Sequence, residues 1–138
     1  MTRQEIIDEA RRWLGVPFLW QGSTVAGVDC VGLVCGVARR VGAAEAVRGV
    51  LHDHPRRPPS PDHLLRQMDA AFLRQVRRPL PGDVLAFRVG SAVRHLGILV
   101  GPDMVVASCS RAGRVVEHGL TEWRPRLAAV YALPGLED

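Results

Sequence analysis

Two side chains far apart in the sequence could together carry covalent chemistry. Cys30 stands in Val28-Asp29-Cys30-Val31-Gly32-Leu33-Val34, where an acid and a thiol interrupt an apolar run that reads as the start of a buried helix. His95 opens His95-Leu96-Gly97-Ile98-Leu99-Val100, a strand otherwise built of apolar residues and glycine. Each has an ordinary explanation alone. Free cysteine is commonly a small buried hydrophobe, a histidine at a strand mouth is more often structural than catalytic, and aspartate at a helix start caps it. As a pair they point to nucleophilic catalysis. A thiol at a helix N-terminus has its thiolate favoured by the dipole, and a histidine on a sheet can close on it as general base, forming an ion pair. The chemistry is acyl transfer through a thioester, with His95 later protonating the leaving amine.

The elements that must position this pair follow from capping signals and periodicity. Thr2-x-x-Glu5 is a capping box, and Ile6, Ile7, Ala10, Trp13 and Leu14 continue at helical spacing, so a first helix is expected from Thr2 to Leu14, ending at Gly15. Pro17–Thr24 is a loop whose Phe18 and Trp20 either line a pocket or lie over the core. The second helix begins near Asp29 and ends with Arg39 and Arg40 before Gly42; Gly32 and Gly36 within it imply close backbone packing. Ser60 and Pro61 should start a third helix carrying Leu64, Leu65, Met68, Phe72, Leu73 and Val76 on its core face. After the Pro81-Gly82-Asp83 turn the period becomes two, with strands expected at Val84–Val89, His95–Val100, Met104–Ser110, Arg114–His118 and Ala128–Leu133. Short turns between the middle ones imply antiparallel pairing, so the strands are expected as an antiparallel meander. The expected fold is α+β, with helices packed on an antiparallel sheet of about five strands.

Bulk properties narrow the classes. At 138 residues the chain is read as one domain, 1–138. All 18 basic residues are arginine, and the net charge is +4. No basic stripe alternates with aromatics, so no nucleic-acid partner is expected. The three cysteines, Cys30, Cys35 and Cys109, form no CxxC pair, which excludes a disulfide framework or zinc knuckle and suits a reducing compartment. His52-Asp53-His54 lacks further ligands at useful spacing and is read as an exposed connector, so neither metal nor cofactor is expected. No run reaches the ~18 apolar residues of a membrane span, and the polar start has no signal-peptide core.

Four stretches carry a resemblance: Leu14–Gly22, Gly27–Val34, Pro81–Phe87 and His95–Gly101. In order, residue type and spacing they resemble the NlpC-like cell-wall peptidases, papain-like cysteine hydrolases that cut peptides in peptidoglycan. The resemblance implies the fold reached above and a peptidoglycan-peptide substrate. It makes Cys30 the nucleophile, with its own backbone amide contributing to the oxyanion site, and His95 base then acid. Asp29, Trp20 and Phe18 are implied on the substrate side. The ending Trp123–Pro134, the absent signal and the single domain look like peptidases of phage tails and gene-transfer particles. That implies synthesis in the cytoplasm, a place in a virion or phage-like tail, and tail or baseplate hub partners.

Three positions depart from the pattern. Phe18 stands where the family usually has tyrosine, and Val31 where it often has serine. Of the three groups that hold a free substrate amine in some members only Asp29 remains, so recognition of a free amino terminus is not implied. Ala107 occupies the place of the residue that orients the histidine. Ser108 beside it should face away. A two-residue turn at Ala112-Gly113 would set His118 opposite Ala107, and a three-residue turn would set Glu117 there, so either is a candidate orienter. These departures keep two other readings open: an inactive structural tail-hub subunit that retains the fold, and a papain-like amidase or acyltransferase on another acylated substrate.

Overall fold

The computed structural model of the protein describes residues 1–48 and 59–137. The His52-Asp53-His54 stretch lies outside them. Among the described residues there are three α-helices: α1 (Arg3–Arg12), α2 (Cys30–Arg40) and α3 (His63–Ala71). Thr2 caps α1 by accepting from the Glu5 amide at 3.1 Å, as the capping box requires. The eight residues Val31–Ala38 of α2 are all buried. A helix apolar all round must be enclosed on every side, and α2 lies between α1 and the sheet.

The sheet has six strands: β3 (Leu73–Gln75), β4 (Val84–Val89), β5 (Ala92–Leu99), β6 (Met104–Cys109), β7 (Arg114–Gly119) and β8 (Leu127–Ala132). Their spatial order is β3-β8-β4-β5-β6-β7, every pair antiparallel. A small hairpin of β1 (Ser23–Thr24) and β2 (Gly27–Val28) precedes α2. The sheet buries apolar residues on both faces. Val84, Ala86, Leu96, Ile98 and Val106 pack toward the helices. Leu85, Phe87, Leu99, Val105, Ala107 and Leu120 form a second core on the other face, with Trp123 and Leu127 packed against it.

Three sequence expectations are corrected. The third helix ends at Ala71 rather than reaching Val76; Leu73–Gln75 turns into an edge strand, where Leu73 and Val76 are exposed. Their apolar spacing fits a helix, but pairing with β8 satisfies the backbone there instead. The same helix starts at His63 rather than at Ser60, whose hydroxyl accepts from Arg66. Last, β8 does not extend the meander beside β7. The Leu120–Trp123 segment and a 3-10 turn at Arg124–Arg126 cross the second core and return the chain to β4.

Glycine sets how closely α2 approaches the β1–β2 hairpin. A Cβ on Gly32 would fall inside the contact radius of the Gly22 carbonyl oxygen, and one on Gly36 would meet the Trp13 ring at 2.6 Å. The Gly22 oxygen is backbone and cannot swing away. Gly32→Ala is therefore expected to destabilise by about 1–3 kcal/mol or more, by the usual cost of overpacking. The midpoint of urea unfolding measures this.

Candidate active site

A cleft of about 620 Å³ opens where the start of α2 meets β5, β6 and β7. Cys30, His95, Asp29, Phe18, Trp20 and His118 all line it. Residues from three separate stretches of sequence are thus brought to one place.

Asp29 is the N-cap of α2. One carboxylate oxygen accepts from the Gly32 amide at 2.8 Å and the other from the Gln21 amide at 2.9 Å, and the residue is buried. The acid therefore fixes two backbone segments, the helix start and the loop holding Trp20. Gln21 adopts a left-handed conformation (φ 60°) to present that amide, a conformation that is uncommon outside glycine. From the other side the Ser108 hydroxyl donates to the Val28 carbonyl at 2.7 Å. Strand alternation turns Ser108 away from Ala107, and it secures the residue before the cap.

His95 is aimed by a bulge. Phe87 pairs with His95 but Arg88 pairs with Val93, so Arg94 is an extra residue on β5. Such bulges redirect neighbouring side chains. The Arg94 carbonyl accepts from the Cys30 thiol at 3.7 Å, which ties the nucleophile candidate to the residue before the base candidate. The His95 ring packs on Trp123 at 4.9 Å and on Phe87 at 5.9 Å between centroids.

The electrostatics correct the expectation of a resting ion pair. Cys30 keeps part of its surface open, but protein atoms crowd the sulfur. That burial, followed by the Asp29 charge, pushes the thiol up to about 12. The amides of Leu96, Val31 and Cys30 pull the other way and are outweighed. Burial, followed by His118, lowers His95 to about 4. At neutral pH these shifts leave both groups uncharged, a thiol and a free-base imidazole in one cleft. The thiolate is the species that alkylates, so Cys30 should react slowly with iodoacetamide at pH 7. Its rate should then climb about tenfold per pH unit toward 12. Peptide mapping by mass spectrometry separates Cys30 from Cys35 and Cys109; a fast plateau near neutrality would restore the ion pair.

The two orienter candidates part company. The β6–β7 turn is Ser110–Gly113, longer than either turn considered, and sets Val116 opposite Ala107. Glu117 pairs with Val106 on the opposite face and receives both an Nε and an Nη donor of Arg11, at 3.1 and 3.3 Å. It does not line the cleft. His118 pairs with Val105, on the face that Ala107 shares, and its ring lies 6.3 Å from that of His95. His118 Nδ1 is 2.9 Å from the Gly119 carbonyl, an acceptor, so that nitrogen carries the hydrogen. In the neutral ring Nε2 is then an acceptor; it is buried and has no partner among the described residues.

Sequence reading missed several members of the cleft. Trp123, half-buried between His95 and His118, is one. Gln67 of α3 is another; its buried Oε1 also lacks a partner. Cys109, expected in the core, is half-buried and lines the cleft, whereas Cys35 is buried as expected. The one tyrosine does not replace the missing family hydroxyl. Tyr131 is buried and donates to Asp69 at 2.8 Å, joining β8 to α3. No group of side chains among the described residues could hold a metal ion.

A family model described as the NlpC/P60 family matches residues 15–131. The murein DD-endopeptidase/murein LD-carboxypeptidase MepS of Escherichia coli K12 is 28% identical over 115 residues, 83% of this chain and 54% of that protein. The chain thus spans about half the length of the curated relatives it matches. Two solved structures show the same fold. The NlpC/p60 domain of the peptidoglycan hydrolase SagA aligns with a TM-score of 0.69 at 17% identity, covering 96% of this chain and 99% of that one. An NlpC/P60 family protein from Bacillus cereus ATCC 10987 aligns with a TM-score of 0.71 at 16% identity, covering 95% and 40%.

Proposed function

This chain belongs to the NlpC/P60 family, and from that premise we propose that it is a cysteine peptidase cutting peptide bonds in peptidoglycan stems. The observation that carries the reading is the Cys30 thiol at the mouth of α2, hydrogen-bonded to the carbonyl that precedes His95 and sharing its cleft. Because both groups rest uncharged, the first step is concerted. The sulfur attacks the carbonyl carbon while His95 takes the thiol proton, and amides at the start of α2 face the developing oxyanion. Collapse breaks the C–N bond as His95 returns the proton to the leaving amine. Water then hydrolyses the thioester with His95 again as base.

His118 is the positioning residue in this reading. When His95 becomes an imidazolium, its second N–H needs an acceptor, and the neutral ring of His118, 6.3 Å away between centroids, has a buried Nε2 without a partner among the described residues. His118→Ala is expected to lower kcat by roughly ten- to a hundredfold with little change in KM. Glu117→Ala should leave kcat in place, since Glu117 holds α1 instead. Equal activity of both variants and the parent protein would end this role for His118.

The setting belongs to the same proposal: a peptidase made in the cytoplasm and carried on a phage-like tail, docked to hub proteins. Its support is the Trp123–Pro134 sequence pattern. Digestion of purified peptidoglycan, followed by mass analysis of the released fragments, tests the activity. No fragment absent from the Cys30→Ala control would refute the peptidase reading and favour a structural subunit.

A further inference from the structure

The cleft is built for negative charge. Arg94, Arg111 and Arg126 line it from β5, the β6–β7 turn and the 3-10 turn before β8, and all three are exposed. Among the described residues none of them forms an ion pair, although other exposed arginines do, such as Arg74 with Asp69 and Arg124 with Asp103. Among the described residues the only carboxylate in the cleft wall is Asp29, buried with both oxygens engaged by backbone amides. Among the described residues an approaching peptide therefore meets three guanidinium groups outside any ion pair and no free acid.

Arg126 is the best placed of the three. Its guanidinium lies over the Trp123 ring at 5.0 Å, and that ring lies 4.9 Å from His95. The stack holds a cation near the base candidate, and less side-chain freedom is lost when it takes a ligand. Phe18 and Val31 also line the cleft, and neither brings a polar side-chain atom to it.

We infer that the cleft selects peptides bearing a free carboxylate close to the bond that is cut, bound by Arg126 with Arg94 and Arg111 in support, and does not require a free amine. The inference rests on the peptidase reading for the identity of the site, and binding tests it independently of cleavage.

The probes are a synthetic stem tetrapeptide with its carboxylates free and the same peptide with every carboxylate amidated. Each is titrated into the Cys30→Ala protein while tryptophan fluorescence is followed, since Trp20 and Trp123 line the cleft. The acid is expected to bind about five- to tenfold tighter at low salt, the range of a partly exposed charge-assisted contact. That preference should shrink between about 0.05 and about 0.5 M salt as screening grows. Arg126→Gln, which alters an exposed side chain, should remove most of the preference and leave the affinity for the amide unchanged. Equal or tighter binding of the amide, no binding of either peptide, or equal weakening of both by Arg126→Gln each overturns the inference. An acid preference with no cleavage by the parent protein would sink the peptidase reading and keep the inference. Cleavage with no acid preference would do the reverse.

Discussion

Cys30→Ala is expected to abolish stem-peptide hydrolysis, lowering the rate by roughly four orders of magnitude or more, as loss of a covalent nucleophile does elsewhere. The fold should survive. Cys30 is small and half-buried, and the helix start is fixed by Asp29 on Gly32 and Gln21 rather than by the thiol. Thermal unfolding should shift by no more than about 1 kcal/mol equivalent. The contrast tests the proposed mechanism, in which the resting pair is neutral and His95 accepts the proton during attack in place of a stored thiolate. Fragment release measured beside the melting curve checks both halves. Retained cleavage with intact folding would remove Cys30 from the mechanism.

Asp83→Ala is expected to be the most destabilising single change, by about 3–5 kcal/mol, the cost of breaking a buried ion pair. Asp83 is completely buried. It accepts from Arg3 at 3.0 Å, from Arg77 at 2.6 and 3.2 Å, and from the Leu80 amide at 2.7 Å. Its own backbone joins the start of β4 to the end of β5, with Leu99 N–H on the Asp83 carbonyl and Gly82 N–H on that of Leu99. One carboxylate thus clamps the start of α1, the segment before β4, and the turn itself. Arg74→Ala, which opens the exposed pair with Asp69, should cost under about 1 kcal/mol. Urea unfolding of the two variants side by side measures the difference; equal costs would mean that the buried network contributes nothing special.

How much of this was legible beforehand depends on the range of the forces involved. The Asp29 cap, the α1 capping box, the close approach at Gly32 and Gly36, and the period-two strands are local or nearly so, and they could be read from neighbouring residues. That Cys30 and His95 share a cleft was legible because each residue is chemically out of place in its own segment. What was hidden depends on partners distant in sequence. Leu73 and Val76 share a helical spacing, yet β8 claims Leu73–Gln75 as an edge strand. Register across β6 and β7 turned on the turn length, and Ser110–Gly113 matched neither length considered. That excluded Glu117 and left His118 on the right face. The resting protonation of Cys30 and His95 was also misjudged. A helix dipole is visible in sequence, whereas the crowding that outweighs it is not.

The bulge at Arg94 sets where this chain can change length. Between β4 and β5 the tip is Gly90-Ser91, exposed and with Gly90 at φ 64°, so residues added there lengthen a loop and leave every pairing below it intact. Four positions later the tolerance vanishes. Deleting Arg94 would restore a regular ladder with His95 still opposite Phe87, but it would remove the bulge that aims the imidazole and take away the carbonyl that receives the thiol. The same hairpin is thus open to insertion at its end, whereas a deletion at its base costs the Cys30 thiol its acceptor.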